Sequence, residues 1–159
     1  TELSEKSQQF VEECWAKKRV LEKGAYLPYD GDWPWSQIGF DHMSGRVLRE
    51  EEFEYVQTCL EHKTSSDSDI VLMDDLLSRG LLVRPGFKFG CKWRVYDGDL
   101  EDSHAPWLIQ PVQHASTSWE GVCLSIRLAE GVHKEWVCAI YSDKQWNYLR
   151  IKRWLPKRN

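Results

Sequence analysis

Apolar residues recur at helical spacing near the start of the chain. They predict a helix over residues 4–23, with Gly24 as its end. Residues 25–45 contain two prolines and three glycines, a composition that is typical of a loop. The apolar face of the predicted helix is formed by Phe10, Val11, Cys14, Trp15, Val20 and Leu21.

Two further segments with helical spacing follow this loop. One covers residues 49–63 and the other covers residues 70–78. The polar stretch 64–69 between them is the best position for a domain boundary. We therefore predict an N-terminal region of helices and loops over residues 1–66 and a second domain over residues 67–159.

The pattern changes to short alternating runs after residue 80. Residues 81–99 are predicted to form two strands on either side of Pro85 and Gly86. Residues 107–114 are predicted to form a third strand that contains a proline. Because proline cannot donate a hydrogen bond within a sheet, we expect this strand at an edge or at a bulge.

The final segments complete a mixed set of elements. Residues 121–130 fit a helix, or a strand that leads into a helix, and residues 136–142 and 146–153 predict a hairpin that turns at Asp143 and Lys144. Strands and helices do not alternate regularly, so a doubly wound fold is not indicated. The predicted fold class is α+β: a small, mainly helical N-terminal region followed by a compact mixed sheet with flanking helices.

Composition and charge narrow the function classes. Apolar residues make up 42% of the chain, and no apolar run is long enough to predict a membrane span. Residues 1–80 carry a net charge of −8 and residues 81–159 a net charge of +4, with five basic groups in the last ten residues. A basic second half suggests a polyanionic partner, although a solvated basic tail has the same composition.

The cysteines and histidines give no sign of a metal site. The five cysteines include no CxxC pair, and the five histidines lack metal-ligand spacing. We expect buried free thiols in a reducing, intracellular compartment, because the first residues also lack an apolar signal core.

The sequence contains no motif for nucleotide hydrolysis, dinucleotide redox chemistry or serine hydrolysis. Tyr96 ends a predicted strand, His104 precedes the next one, and Lys134 follows later. These are the groups of an acid–base site that acts on a phosphodiester without a metal ion. Packing for the tyrosine and solvent exposure for the histidine and lysine are the alternatives.

Two stretches carry a family resemblance. Residues 76–99 read LLSRGLLVRPGFKFGCKWRVYDGD, and residues 127–141 read RLAEGVHKEWVCAIY. Together with the His104-Ala105 pair, their order and spacing over residues 72–159 resemble the C-terminal catalytic domain of tRNA-splicing endonucleases, of the catalytic-subunit type.

The resemblance implies roles for three residues. Tyr96, His104 and Lys134 fall on the catalytic triad of the family. Tyr96 is then the base that activates a 2′-hydroxyl, His104 the acid that protonates the leaving 5′-oxygen, and Lys134 the cation that stabilises the phosphorane. An unperturbed tyrosine pKa of about 10 means that this base needs a neighbouring cation.

The resemblance also implies an RNA-binding set. Arg127 and Trp154 fall on an arginine and a tryptophan that hold a bulged nucleotide, and the neighbouring Arg150 and Arg153 are expected to contact RNA. An ion pair between Arg127 and Glu130, and a core position for Trp154, are the alternatives.

The implied function is a metal-independent tRNA-intron endonuclease without cofactors. It would cut intron-containing precursor tRNA at bulge–helix–bulge-like elements and leave 2′,3′-cyclic phosphate and 5′-hydroxyl ends. The expected assembly is a homodimer, a homotetramer or a hetero-oligomer, located in the nucleus if the organism is eukaryotic. A non-catalytic structural subunit and an RNA-binding module are the alternatives.

Overall fold

The computed structural model describes residues 3–61, 68–97 and 105–154. The chain divides into two compact units, Thr1–Asp74 and Asp75–Asn159. The division falls inside a helix, α3 (Ser68–Ser78). The boundary predicted between residues 66 and 67 lies outside the described residues and stays a prediction.

The first unit combines helices with a small sheet. The sheet is four-stranded and antiparallel, with strand order β1-β2-β4-β3. The α2 helix is anchored by Glu52, whose buried carboxylate accepts hydrogen bonds from the Arg49 and Gly39 amides at 3.0 and 2.5 Å. The elements of this unit that precede α3 are α1 (Glu5–Ala16), β1 (Arg19–Leu21), β2 (Gly24–Pro28), β3 (Phe40–Asp41), β4 (Gly45–Leu48) and α2 (Glu50–Leu60).

The first predicted helix is too long, and its last residues form a strand instead. The helix ends at Ala16, and β1 pairs with β2 in a hairpin that turns at Glu22 and Lys23, directly before Gly24. Gly24 has a φ of 112°, and a β-carbon there would lie 2.0 Å from the carbonyl oxygen of Leu48. The glycine that was predicted to end a helix is therefore required by a tight turn and a close backbone approach.

The predicted loop over residues 25–45 is wrong where β2, β3 and the start of β4 lie. Ala25 and Leu27 of β2 are fully buried on one face of the sheet. The strands are two to five residues long, which is too short for alternation to be visible among prolines and glycines.

The second unit contains a five-stranded sheet of order β5-β6-β7-β8-β9. The β7 and β8 strands are parallel and all other neighbours are antiparallel, so α4 serves as the crossover connection between β7 and β8. Short 3₁₀ helices cover Phe87–Phe89 and Val112–His114. The main elements are β5 (Leu82–Pro85), β6 (Trp93–Tyr96), β7 (Trp107–Pro111), α4 (Trp119–Gly131), β8 (Glu135–Ser142) and β9 (Gln145–Ile151).

The core of this unit lies between α4 and the sheet. Ser118 caps α4 by accepting a hydrogen bond from the Gly121 amide at 3.1 Å. The helix then buries Ile126 and Ala129 against Leu108 and Trp136 of the sheet. This packing fixes the end of α4 and the start of β8 relative to the central strands.

Several predictions for the second half are confirmed. The strands around Pro85 and the hairpin at Asp143 and Lys144 are present, and of the two alternatives for residues 121–130 the helix is the one that forms, as α4. Both turn residues have positive φ values, 53° and 63°, as a two-residue hairpin turn requires. The edge position predicted for the third strand is wrong, because β7 is the central strand and its proline is the last residue, beyond the final pair with β6 at Ile109.

The α+β class is confirmed by four α-helices and two sheets among the described residues. Within the same residues, no helix has the length and apolar character needed to cross a membrane.

Candidate active site

Tyr96 is the last residue of β6. Trp93 and Val95 are buried on one face of this strand, so Arg94 and Tyr96 share the other face and are half-buried. The guanidinium carbon of Arg94 lies 5.6 Å from the centroid of the Tyr96 ring. The strand thus holds a phenol and a cation side by side where the sheet ends.

Lys134 lies in the connection between α4 and β8. Its amide donates to the Ala129 carbonyl at 2.9 Å, which closes the end of the helix, and the preceding His133 has a φ of 58°. The Lys134 ammonium donates to the Ala105 carbonyl at 2.6 Å. The lysine is therefore held at both its backbone and its side chain.

Phe89 joins these two parts of the site. Its ring lies 5.8 Å from the Arg94 guanidinium carbon and 5.6 Å from the Lys134 ammonium nitrogen. We call Phe89, Arg94, Tyr96 and Lys134 the Arg94 cluster. Burial, and then the positive charge of Arg94, lower the pKa of Lys134. Among the described residues, no carboxylate forms an ion pair with either cation.

His104 lies outside the described residues. It directly precedes Ala105 in the sequence, and Ala105 is the residue whose carbonyl binds Lys134. The described residues contain no group of three or more histidine, cysteine, aspartate or glutamate side chains that could hold a metal ion.

The predicted RNA-binding residues lie on α4 and at the end of β9. Arg127 is exposed on α4, and Trp154 is 83% exposed, so the core position considered for this tryptophan is wrong. Arg153 forms an ion pair with Glu130 at 2.7 Å, whereas Arg150 and Lys152 pair with Glu135, each at 3.3 Å.

The two carboxylates of these ion pairs, together with Lys152, line a cavity beside Lys134. The cavity has a volume of 270 Å³, and its walls include Glu130, His133, Glu135 and Lys152. The hydrogen bond from Arg153 lowers the pKa of Glu130, so the carboxylate is held in its charged form. Exposed pairs of this kind are weak, so a phosphate group can replace a carboxylate as the partner of a basic side chain.

Arg94 was not singled out from the sequence. Its position two residues before Tyr96 in a strand places both on one face, which was the available signal. No sequence pattern indicated that Phe89 and Lys134 approach this arginine. Phe89 lies in a 3₁₀ helix, and Lys134 follows the end of α4.

Comparison with known proteins identifies the class. The family model "tRNA intron endonuclease, catalytic C-terminal domain" matches residues 67–148, slightly more than half of the chain. The chain therefore belongs to this family.

Individual relatives agree with this assignment. A tRNA-splicing endonuclease of Picrophilus torridus is 28% identical over 73% of this chain and 38% of its own length. Two others, of Methanopyrus kandleri and Thermococcus kodakarensis, are both 33% identical, over 55% and 54% of this chain and 50% and 52% of their own lengths. The chain thus spans about half, or less, of these curated relatives.

Proposed function

We propose that this chain is a catalytic subunit of a tRNA-intron endonuclease that cuts precursor tRNA at its exon–intron junctions. The observation that carries the proposal is the Arg94 cluster within the matched catalytic domain. It combines a phenol with two cations that have no carboxylate partner among the described residues. Such a charge arrangement favours a phosphodiester, whose charge increases during cleavage.

The proposed reaction is an internal transfer within the RNA. The 2′-oxygen of the nucleotide before the junction forms a bond to the adjacent phosphorus, and the bond from phosphorus to the 5′-oxygen breaks. Tyr96 accepts the proton of the 2′-hydroxyl, and His104 gives a proton to the leaving 5′-oxygen. The products are a 2′,3′-cyclic phosphate and a 5′-hydroxyl, so the balance needs no water, metal ion or cofactor.

Lys134 has the donors that this reaction needs. An ammonium group has three N–H donors, and the Ala105 carbonyl takes one of them. The other two are available for oxygens of the scissile phosphate, and the bond to Ala105 keeps the ammonium in place. Preorganised donors of this kind stabilise the transition state because they need no reorientation during the reaction.

The proposed substrate element is a bulge–helix–bulge-like junction. Trp154 is exposed and follows Arg153, while Arg127 is exposed on α4. Stacking of a bulged base between an indole and a guanidinium recognises an unpaired position without reading its identity. Arg150 and Arg153 would exchange their carboxylate partners for backbone phosphates.

The test is single-turnover cleavage of an intron-containing precursor tRNA by the full chain in excess EDTA. We expect cleavage with cyclic phosphate ends. We also expect no cleavage at a junction whose scissile nucleotide carries a 2′-deoxy substitution, while a 2′-deoxy substitution elsewhere leaves cutting unchanged. Cutting of the deoxy junction, or a strict requirement for one divalent ion at constant RNA structure, would contradict the mechanism. Binding without cleavage under all conditions would favour the RNA-binding or structural alternatives.

His104→Ala tests the acid. Removal of a general acid typically lowers the rate by about 10²–10⁴-fold. We expect this loss in the single-turnover rate with an unchanged dissociation constant for the precursor, and the control His114→Ala should retain the wild-type rate. A His104→Ala variant that cleaves normally at saturation would remove this residue from the chemistry.

A further inference from the structure

Arg94 is the cation of the cluster for which the proposed reaction assigns no contact with the substrate. Its guanidinium lies against the rings of Tyr96 and Phe89, at 5.6 and 5.8 Å from their centroids. Its Nε atom is buried and has no hydrogen-bond partner. Buried N–H groups of native proteins nearly always have a partner. The indole Nε1 atoms of Trp93 and Trp146 also lack one, but Arg94 is the charged group of the three.

Two of the described residues near Arg94 carry charge of the same sign. Lys134 is close enough for Arg94 to lower its pKa, in addition to the larger effect of burial. On β5, Arg84 lies directly opposite Arg94 in the strand register. Like charges at opposite positions in a sheet reduce stability. Among the described residues, no carboxylate forms an ion pair with Arg94.

We propose that Arg94 is a second phosphate-binding cation, whose guanidinium holds an oxygen of the same scissile phosphodiester that Lys134 binds. The inference deepens the proposed function and rests on it for the identity of the RNA. An anion between the two cations would accept hydrogen bonds from the terminal N–H groups of Arg94 and turn the mutual repulsion of the cations into a shared attraction.

Arg94 would contribute charge stabilisation and no proton. The bound phosphodiester carries one negative charge and the phosphorane carries two, so the interaction strengthens as the 2′-oxygen attacks. The planar guanidinium presents several N–H donors in a fixed fork, and the two aromatic rings hold that plane in place. Arg94 would therefore affect the rate more than the affinity for RNA.

The structural alternative is that Arg94 only packs on the two rings. Cation–π contacts contribute to stability even without a ligand. This alternative predicts that removal of Arg94 changes stability without a specific effect on the chemical step. The phosphate-binding proposal thus predicts a lower cleavage rate, whereas packing alone predicts only a change in stability.

The experiment compares Arg94→Gln and Arg94→Lys with the control Lys92→Gln. The control removes one positive charge two residues before Arg94. The Lys92 ammonium nitrogen lies 5.3 Å from the centroid of the Trp93 ring. We expect Arg94→Gln to reduce the saturated single-turnover rate by about 10²-fold or more, as for the loss of one oxyanion donor. The dissociation constant of the 2′-deoxy precursor should change little, Arg94→Lys should recover part of the rate, and Lys92→Gln should keep all of it. A wild-type rate in Arg94→Gln would overturn the inference and leave the proposed function intact.

A second measurement on the wild-type chain needs no variant to fold. The Nε–H resonance of Arg94 is followed by NMR during titration with inorganic phosphate and with the 2′-deoxy precursor. We expect it to move on binding of either probe, and Arg94→Lys to weaken phosphate binding. A resonance that stays fixed while the precursor binds would overturn the inference. If phosphate moves it but no precursor is cleaved, the anion site stands and the proposed function fails.

Discussion

At the scale of single residues, the exposure of Trp154 allows a role in RNA recognition to be distinguished from a role in core packing. It is 83% exposed, whereas Trp136 on β8 is 3% exposed within the core of the same unit. We expect Trp154→Ala to change the free energy of unfolding by less than about 0.5 kcal/mol. The matched variant Trp136→Ala should cost about 3–5 kcal/mol.

The same pair of variants tests the RNA contact. Stacking of one base on an aromatic ring contributes about 1–3 kcal/mol, so Trp154→Ala should weaken binding or cleavage of bulged substrates by about ten- to hundredfold. Thermal unfolding and RNA binding are measured on both variants. A large fall in the melting temperature of Trp154→Ala would show that the residue is structural.

Lys134 is the residue whose titration the site controls. Burial and the charge of Arg94 both lower its pKa in the folded chain. As the pH rises, Lys134 should therefore lose its proton at a pH lower than the ordinary lysine pKa of about 10.4. NMR titration of the lysine ε-carbons measures this, and Arg94→Gln should move the pKa of Lys134 upward. A Lys134 that titrates at or above the ordinary value would contradict the described electrostatics.

The sign of the effect on stability follows from the same shift. Between the folded and the unfolded pKa of Lys134, the unfolded chain binds more protons than the folded chain. The contribution of this residue to stability therefore rises with pH through that window. The shifted pKa of Lys134 thus lowers the stability of the folded chain below this window.

How far the sequence predicts the candidate site depends on the residue. Tyr96 at a strand end and Lys134 after a helix follow from local pattern, and their structural positions agree with it. The role of Arg94 does not follow, because strand alternation alone cannot tell a solvated arginine from one that meets Phe89 and Lys134. The contact between Lys134 and Phe89 joins residues that are about 45 positions apart, and no local pattern encodes it.

At the scale of elements, long periodic segments were predictable and the short strands of the first unit were not. The α2 and α4 helices and the β8–β9 hairpin have enough residues for their periodicity to be visible. The sheet of the first unit has strands of two to five residues, and β2 begins at Gly24, where a β-carbon would clash with the Leu48 carbonyl oxygen. The central position of β7 is set by its partners on both sides and not by its own proline.

The connection between α3 and β9 gives a prediction at this scale. The Tyr148 hydroxyl donates to the Asp75 carboxylate at 2.5 Å, and Arg79 pairs with the same carboxylate at 2.8 Å. A hydrogen bond to a charged group contributes about 1.5–3 kcal/mol. We expect Tyr148→Phe to lower the free energy of unfolding by about this amount, whereas Tyr141→Phe, at an exposed position on β8, should have little effect.

The pH dependence of this contact has a defined direction. Burial, and then the hydrogen bond to Asp75, raise the pKa of Tyr148. Because the folded pKa lies above the unfolded value of about 10, the stabilisation is fully present below pH 10 and is lost as the pH rises further. Urea unfolding at neutral and alkaline pH measures it. A difference between wild type and Tyr148→Phe that grows with pH would contradict the assignment.

At the scale of the whole molecule, the basic part of the chain largely coincides with the region that the family model matches. The acidic part is residues 1–80, and the basic part is residues 81–159, which contains most of the region that the catalytic-domain model matches. A basic catalytic part suits a polyanionic substrate. The acidic part would repel RNA. The acidic part of one copy and the basic part of another carry opposite charges, which would favour association between copies and would weaken as the salt concentration rises.

The last prediction concerns assembly. Excision of an intron requires cleavage at two junctions, and one copy of the Arg94 cluster supplies one proposed site. We therefore expect the active protein to contain at least two sites, as a homodimer, a homotetramer or a hetero-oligomer. Light scattering should give a mass of at least two chains, or cleavage should require an added partner subunit.

A mixing experiment tests whether two sites act together. Mixing wild type with excess His104→Ala should reduce release of the intron more steeply than cleavage at a single junction, because release of the intron needs both sites of one assembly to be intact. A monomeric mass together with efficient cutting at both junctions would show that one site serves them in turn.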